Sequence, residues 1–269
     1  MCHPTVPAHA SPPPVETREA AVAIEGGGLL PGLLAIPART PAPAVLVISD
    51  LFGRSPFYEH LACRLADAGF VAFTADYFAR LTSLGDDSLD AHRARRRTEM
   101  DEIQTLRDLA AAVEWLSALP EVGSNGVGSI GFCMGGTLAF DLAVFSGRLA
   151  ATVAFYGYPA GEPNKSRIAP PRPLDIAAAV GAPLLAHWGD QDPGYVPQQV
   201  HNLDQRLTAA AVEHTFHVYP DMEHGFLRNH LESSSGPRFE AAALAWTRTL
   251  GFLNSHLSGD PDGPAPKER

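Results

Sequence analysis

The chain has too little cysteine for disulfide chemistry. Its three cysteines, Cys2, Cys63 and Cys133, are odd in number and far apart, and no C-x-x-C pair offers a redox or zinc site. Long apolar runs are missing too; nothing approaches the roughly 20 residues that a membrane helix needs. The opening stretch MCHPTVPAHASPPPVETREA lacks the basic and apolar regions of a secretory leader. Basic residues are in deficit, with 20 Lys and Arg against 30 Asp and Glu and a net charge of −10. That balance disfavours nucleic acid and anionic membranes as partners, since both demand basic surface. A hydrophobic content of 45% with 19% charged residues is that of a folded globular chain rather than a disordered one. A reduced, cytoplasmic protein without nucleic-acid or membrane partners is expected, and a monomer is compatible with this composition. No H-E-x-x-H is present, His214 and His217 read as alternating strand residues, and nothing calls for a metal or a cofactor.

What is present is an alternation of short apolar runs with helical segments. The runs 44–49, 70–75, 127–132, 151–157 and 182–189 are continuous rather than alternating in apolarity, and 213–220 follows as a last strand. Strands covered by helices on both faces show this pattern. Between them, 57–69 ends on a glycine suited to a helix C-cap, and the apolar face of 94–119 recurs through Ile103, Leu106, Ala110, Val113 and Leu116. Residues 134–146, 197–211 and 237–257 are further helices. The segments 20–25 and 29–36, joined across a Gly-Gly-Gly turn, read as an antiparallel hairpin at a sheet edge. The order predicts an α/β fold, a doubly wound and mostly parallel sheet with right-handed crossovers. One domain is expected over 20–257, between a Pro-rich arm at 1–19 and a Pro/Gly/Asp-rich tail at 258–269. Residues 158–181 form the longest irregular connection, and such loops are often functional.

The stretch GSIGFCMGG (128–136) runs from strand into glycine-flanked turn into helix. This is the spacing of a nucleophile elbow, with Cys133 at the position of the nucleophile. Small neighbours are needed where the backbone turns sharply, and a helix N-terminus behind the thiol favours its thiolate. A buried structural cysteine is the bland alternative, and the partners downstream decide against it. Asp190 and Asp192 follow the strand 182–189, and His224 follows the last strand, in the order nucleophile, acid, histidine that this fold uses. Asp192 is preferred to Asp190 because its offset from Gly189 lets the turn project it toward the histidine. The basic cluster RARRR (93–97) reads as a solvated face or a pocket rim rather than a nucleic-acid site, and Cys63 reads as core.

The blocks IGFCMGG, GDQDPGYVP and YPDMEHGFLR, together with 45–80, resemble the dienelactone hydrolase family (carboxymethylenebutenolidases) over roughly residues 20–255. The resemblance implies an α/β-hydrolase fold and a Cys133–His224–Asp192 triad that opens an activated lactone through a thioester. It also implies that Arg80 and Arg228 grip a substrate carboxylate and that Tyr156 lines the pocket. The oxyanion donors would be the backbone N–H groups of Leu51 and Met134. Two positions depart from the family pattern: Asp50 stands where a glutamate usually meets the resting thiol, and Gly225 replaces a serine after the histidine. A carboxylesterase of broader or neutral specificity with the same triad is the nearest alternative. A non-catalytic binding member would be expected to lack a triad residue, and none is lacking.

Overall fold

The computed structural model describes residues 6–7, 10–161, 166 and 168–258, so Cys2 lies outside the described residues. Eight strands form one sheet: β1 (Glu16–Ile24), β2 (Gly28–Ile36), β3 (Ala44–Ile48), β4 (Val71–Ala75), β5 (Val127–Phe132), β6 (Leu149–Phe155), β7 (Leu184–Gly189) and β8 (His214–Tyr219). They lie in the order β1-β2-β4-β3-β5-β6-β7-β8. The β1–β2 and β2–β4 pairs are antiparallel, and every other pair is parallel. The edge hairpin read from the sequence is therefore present. Its first strand opens at Glu16, inside the stretch read as an arm, because β1 pairs with β2 along its whole length.

The helices are α1 (Pro56–Asp67), α2 (Leu89–Glu99), α3 (Glu102–Ser117), α4 (Met134–Phe145), α5 (Pro173–Ile176), α6 (Pro197–Ala209), α7 (Asn229–Glu232) and α8 (Pro237–Leu257). Helices α1 and α8 pack Phe57, Leu61, Trp246 and Leu253 on one face of the sheet. On the other face α3 and α4 contribute Leu106, Leu109, Leu138 and Leu142, and α6 adds Leu203 and Leu207 beside Phe140. Strands β3, β4 and β5 are buried throughout, which explains their unbroken apolar runs. Among the described residues no helix is long and apolar enough to cross a membrane.

The single helix expected over 94–119 is two. The backbone leaves helical geometry at Met100, and Asp101 begins α3 by accepting a hydrogen bond from the Gln104 amide at 2.9 Å. The signal was in the sequence: an aspartate followed three residues later by glutamine is a helix-start pattern. The irregular connection 158–181 contains the short helix α5 and a 3₁₀ turn at Ala177–Ala179. It is strapped to the start of α3, where Glu102 N–H donates to the Ile168 carbonyl at 2.8 Å. Helix α2 differs from the rest: its buried residues are His92, Arg95 and Arg96, with no apolar side chain among them.

Candidate active site

The turn between β5 and α4 holds Cys133 at φ 56° and ψ −118°, a conformation that L residues rarely adopt. Such strain costs on the order of 1–3 kcal/mol and persists only where the surroundings enforce it. Here they do so by leaving no room. A β-carbon at Gly131 would lie 2.0 Å from the Gly135 carbonyl oxygen, and one at Gly135 would lie 2.1 Å from the Ser49 carbonyl oxygen. The Cys133 amide donates to the Phe155 carbonyl of the neighbouring strand at 3.0 Å. The thiol is thus carried on a rigid corner at the head of α4.

His224 reaches this corner from the loop after β8. Its Nδ1 lies 2.7 Å from Asp192 Oδ2, and Asp192 is held in turn by the Gly194 amide, which donates to Oδ1 at 2.6 Å. Asp190 does other work: its Oδ1 accepts the Asp221 amide at 2.7 Å and closes the turn that presents the histidine. Asp192 rather than Asp190 is thereby brought to the imidazole. The other ring nitrogen, Nε2, is buried and completes no full hydrogen bond, which leaves the Cys133 sulfur as its counterpart. Burial pushes the imidazole pKa down, but hydrogen bonds to Asp192 and Cys133 and the charges of both outweigh it, raising the pKa to about 9. The protonated form of the ring is therefore favoured at this position. Because the folded value exceeds that of a free imidazole, this ring's contribution to stability is complete below about pH 6.5. It is lost as the pH rises through about 9. Burial, with Glu59 nearby, pushes the Cys63 thiol pKa up.

The loop after β3 faces the elbow. Asp50 is fully buried; its Oδ1 accepts the Phe52 amide at 2.9 Å and its carbonyl accepts the Gly53 amide at 3.0 Å. Leu51 lies between these bonds, in the turn. Met134 is the first residue of α4, so its N–H has no acceptor within the helix. One contributor escaped sequence reading. The Tyr77 hydroxyl, from the loop after β4, lies 2.7 Å from the Ser49 carbonyl and 2.9 Å from that of Asp50, pinning the loop from beneath. Its only signal was its place in TADYFAR. Tyr156, at φ 41°, is buried with its ring 4.9 Å from that of His224, so it packs against the imidazole.

Each of the two arginines expected at a substrate carboxylate has an acidic neighbour. Arg80 is bound to Asp108 of α3, with Nε 2.5 Å from Oδ2 and Nη2 3.0 Å from Oδ1, and its Nη2 also donates to the Glu25 carbonyl in the edge hairpin. The structure does not bring it to Cys133. Arg228, on the 3₁₀ turn Phe226–Arg228, has Nε 3.5 Å from Glu232 Oε1.

The sequence profile of the dienelactone hydrolase family matches residues 30–257. The chain belongs to that family. A carboxymethylenebutenolidase of Rhodococcus opacus is 30% identical over 96% of this chain and 98% of its own length. A Bradyrhizobium protein assigned as a 2-oxo-3-(5-oxofuran-2-ylidene)propanoate lactonase is 32% identical over 81% of this chain and 85% of its own. A solved structure of a dienelactone hydrolase candidate from Klebsiella pneumoniae superposes with a TM-score of 0.78 at 27% identity, covering 89% of this chain and 98% of that one. The eight-stranded, mostly parallel sheet with helices is the α/β-hydrolase fold of these dienelactone hydrolase relatives, and the chain is a lactone or ester hydrolase acting on small molecules.

Proposed function

We propose that this dienelactone hydrolase relative opens a carboxylate-bearing enol lactone with Cys133 as nucleophile, His224 as base and acid, and Asp192 as the group that orients the imidazole. One observation carries the reading: a histidine bonded at 2.7 Å to a buried aspartate stands beside a cysteine held at positive φ on a helix head. The raised His224 pKa supports a thiolate–imidazolium pair at neutral pH. The thiolate sulfur adds to the lactone carbonyl, and the developing oxyanion accepts hydrogen bonds from the N–H groups of Leu51 and Met134. The acyl C–O bond then breaks, the ring opens, and the enolate oxygen leaves with the bond's electrons. The released enolate takes the proton of the His224 imidazolium. Water then gives a proton to the neutral His224 as it attacks the thioester, and the C–S bond breaks with its electrons on sulfur, restoring the thiolate–imidazolium pair. An incomplete Nε2–sulfur hydrogen bond is ordinary before substrate arrives and tightens in the complex. The relatives' names describe carboxylate-bearing lactones, which supports an anionic substrate here. The binding of Arg80 to Asp108 favours, as a second reading, an esterase of broader range.

Cys133→Ala is expected to abolish lactone and ester hydrolysis, and iodoacetamide to inactivate in proportion to labelling at Cys133 while Cys63 stays unlabelled. Loss of the imidazole in His224→Ala lowers the labelling rate at pH 7 by about tenfold or more, toward that of an ordinary thiol. Retained hydrolysis in Cys133→Ala overturns the proposal. A dienelactone to p-nitrophenyl acetate kcat/KM ratio near unity would favour the esterase reading.

A further inference from the structure

Helix α2 turns three polar side chains inward, and two of them are accounted for. Arg96, 2% exposed, directs Nε and Nη2 to Glu102 Oε1 at 2.9 and 2.8 Å. His92 has Nε2 2.7 Å from Asp87 Oδ1. Arg95 is different. It is only 9% exposed, its Nε is buried without a hydrogen bond, and among the described residues no carboxylate lies within ion-pair distance. Its polar contacts are long: Nη1 to the Thr82 carbonyl at 3.3 Å and Nη2 to His92 Nδ1 at 3.4 Å. The guanidinium instead lies 4.7 Å above the ring of Phe78. A cation removed from water needs compensation. The charges of Glu99, Asp76 and Asp87 act on Arg95, but none of these carboxylates meets its guanidinium in a hydrogen bond.

The neighbours of Arg95 are those of the loop after β3. The Phe78 ring abuts Gly53, where an added β-carbon would come within 2.8 Å of Phe78 Cδ2. The His92 ring packs on Phe52 with centroids 4.6 Å apart. Phe52 and Gly53 directly follow Leu51. Tyr77, next to Phe78, holds the Ser49 and Asp50 carbonyls and feels the charges of Asp50, Arg96 and Cys133. Arg95 and Gly53 of the loop that faces the nucleophile thus share the Phe78 ring as a neighbour, whereas Arg80 is bound to Asp108.

We infer that Arg95, stacked on Phe78 and steadied by His92, is the subsite for the carboxylate of the substrate. This rests on the reading of the chain as a hydrolase of an anionic lactone. The Nε–H, buried without a hydrogen bond, and the loosely held Nη2 lie along one edge of the planar guanidinium, the edge that takes a carboxylate in two parallel hydrogen bonds. The stacked ring fixes that edge, so the fork need not be ordered when the substrate enters.

The test is the ratio of kcat/KM for dienelactone to that for p-nitrophenyl acetate, measured with the purified full chain. Arg95→Met should lower this ratio about 100-fold, through KM, since truncating one member of a buried charge pair has effects of that size. Arg97→Met, which removes the same charge from the exposed side of the same helix, should change it less than about threefold, the size of a surface effect. Arg95→Lys keeps the charge but not the fork, and serves if the methionine variant fails to fold; its ratio should fall about tenfold, the loss of one charge-assisted hydrogen bond. An unchanged ratio in either Arg95 variant overturns the assignment. So does a collapse of the ratio in Arg80→Met with Arg95→Met unaffected, and that outcome leaves the anionic-lactone reading standing. A wild-type protein that shows no preference for the carboxylate-bearing substrate overturns both.

Discussion

The two walls of the site are held by opposite physics. On the elbow side, Cys133 is forced into place by contacts that leave no space for a β-carbon at Gly131 or Gly135, and the surrounding strands are apolar. On the side of α2, the buried side chains are two arginines and a histidine, and charge does the holding. Oxygen Oε1 of Glu102 gathers both Arg96 donors and the Ser166 amide at 3.1 Å, tying α2, α3 and the connection after β6 together at one atom. A wall built by exclusion is rigid and indifferent to the substrate's charge. On the proposal that Arg95 takes the substrate carboxylate, a wall built from cations is tuned to it. A hydrolase needs both, because the nucleophile must not move and the substrate must be chosen.

The sharpest way to break this comparison is on the elbow. Gly135→Ala places a methyl group against two backbone carbonyls that cannot retreat, and is expected to cost more than about 4 kcal/mol, read as loss of soluble protein or of the urea midpoint. Next comes the charged wall. Glu102→Gln leaves Arg96 buried without its carboxylate and should cost about 3–5 kcal/mol in urea unfolding, whereas Arg96→Met with Glu102→Leu together should recover most of it. Equal losses for the single and double variants would show that packing, not charge, holds α2. The smallest effect sharpens the link between the walls. Tyr77→Phe removes the hydroxyl beneath Ser49 and Asp50 and should lower kcat about tenfold with little change in KM, at a stability cost of about 1 kcal/mol. A change confined to KM would place Tyr77 with the substrate rather than with the loop.

The elbow was legible from the chain because steric demands leave a mark in residue type: glycine must stand where no β-carbon fits, whatever lies around it. The hydrophobic runs were legible for a similar reason, since burial on both faces of a sheet permits little else. The cluster RARRR was not legible in the same way. Periodicity tracks apolar faces, and a helix that buries arginines reads as a solvated one until the carboxylate of Glu102 is seen to meet Arg96. The break at Met100 left no mark in the apolar periodicity, because the whole apolar face from Ile103 to Leu116 lies in α3 and α2 buries only His92, Arg95 and Arg96. Arg80 carried the family's pattern, yet its partner Asp108 sits on α3, 28 residues away.

The order of strands and helices, the sharp turn around Cys133 and the downstream places of Asp192 and His224 were determined by the sequence itself, because local sterics and burial act residue by residue. Which aspartate meets the imidazole, where Arg80 points and which guanidinium stacks on a ring instead of bonding a carboxylate were decided only by tertiary structure. Charges pair with whatever the fold brings within a few ångströms, and distance along the chain does not predict that.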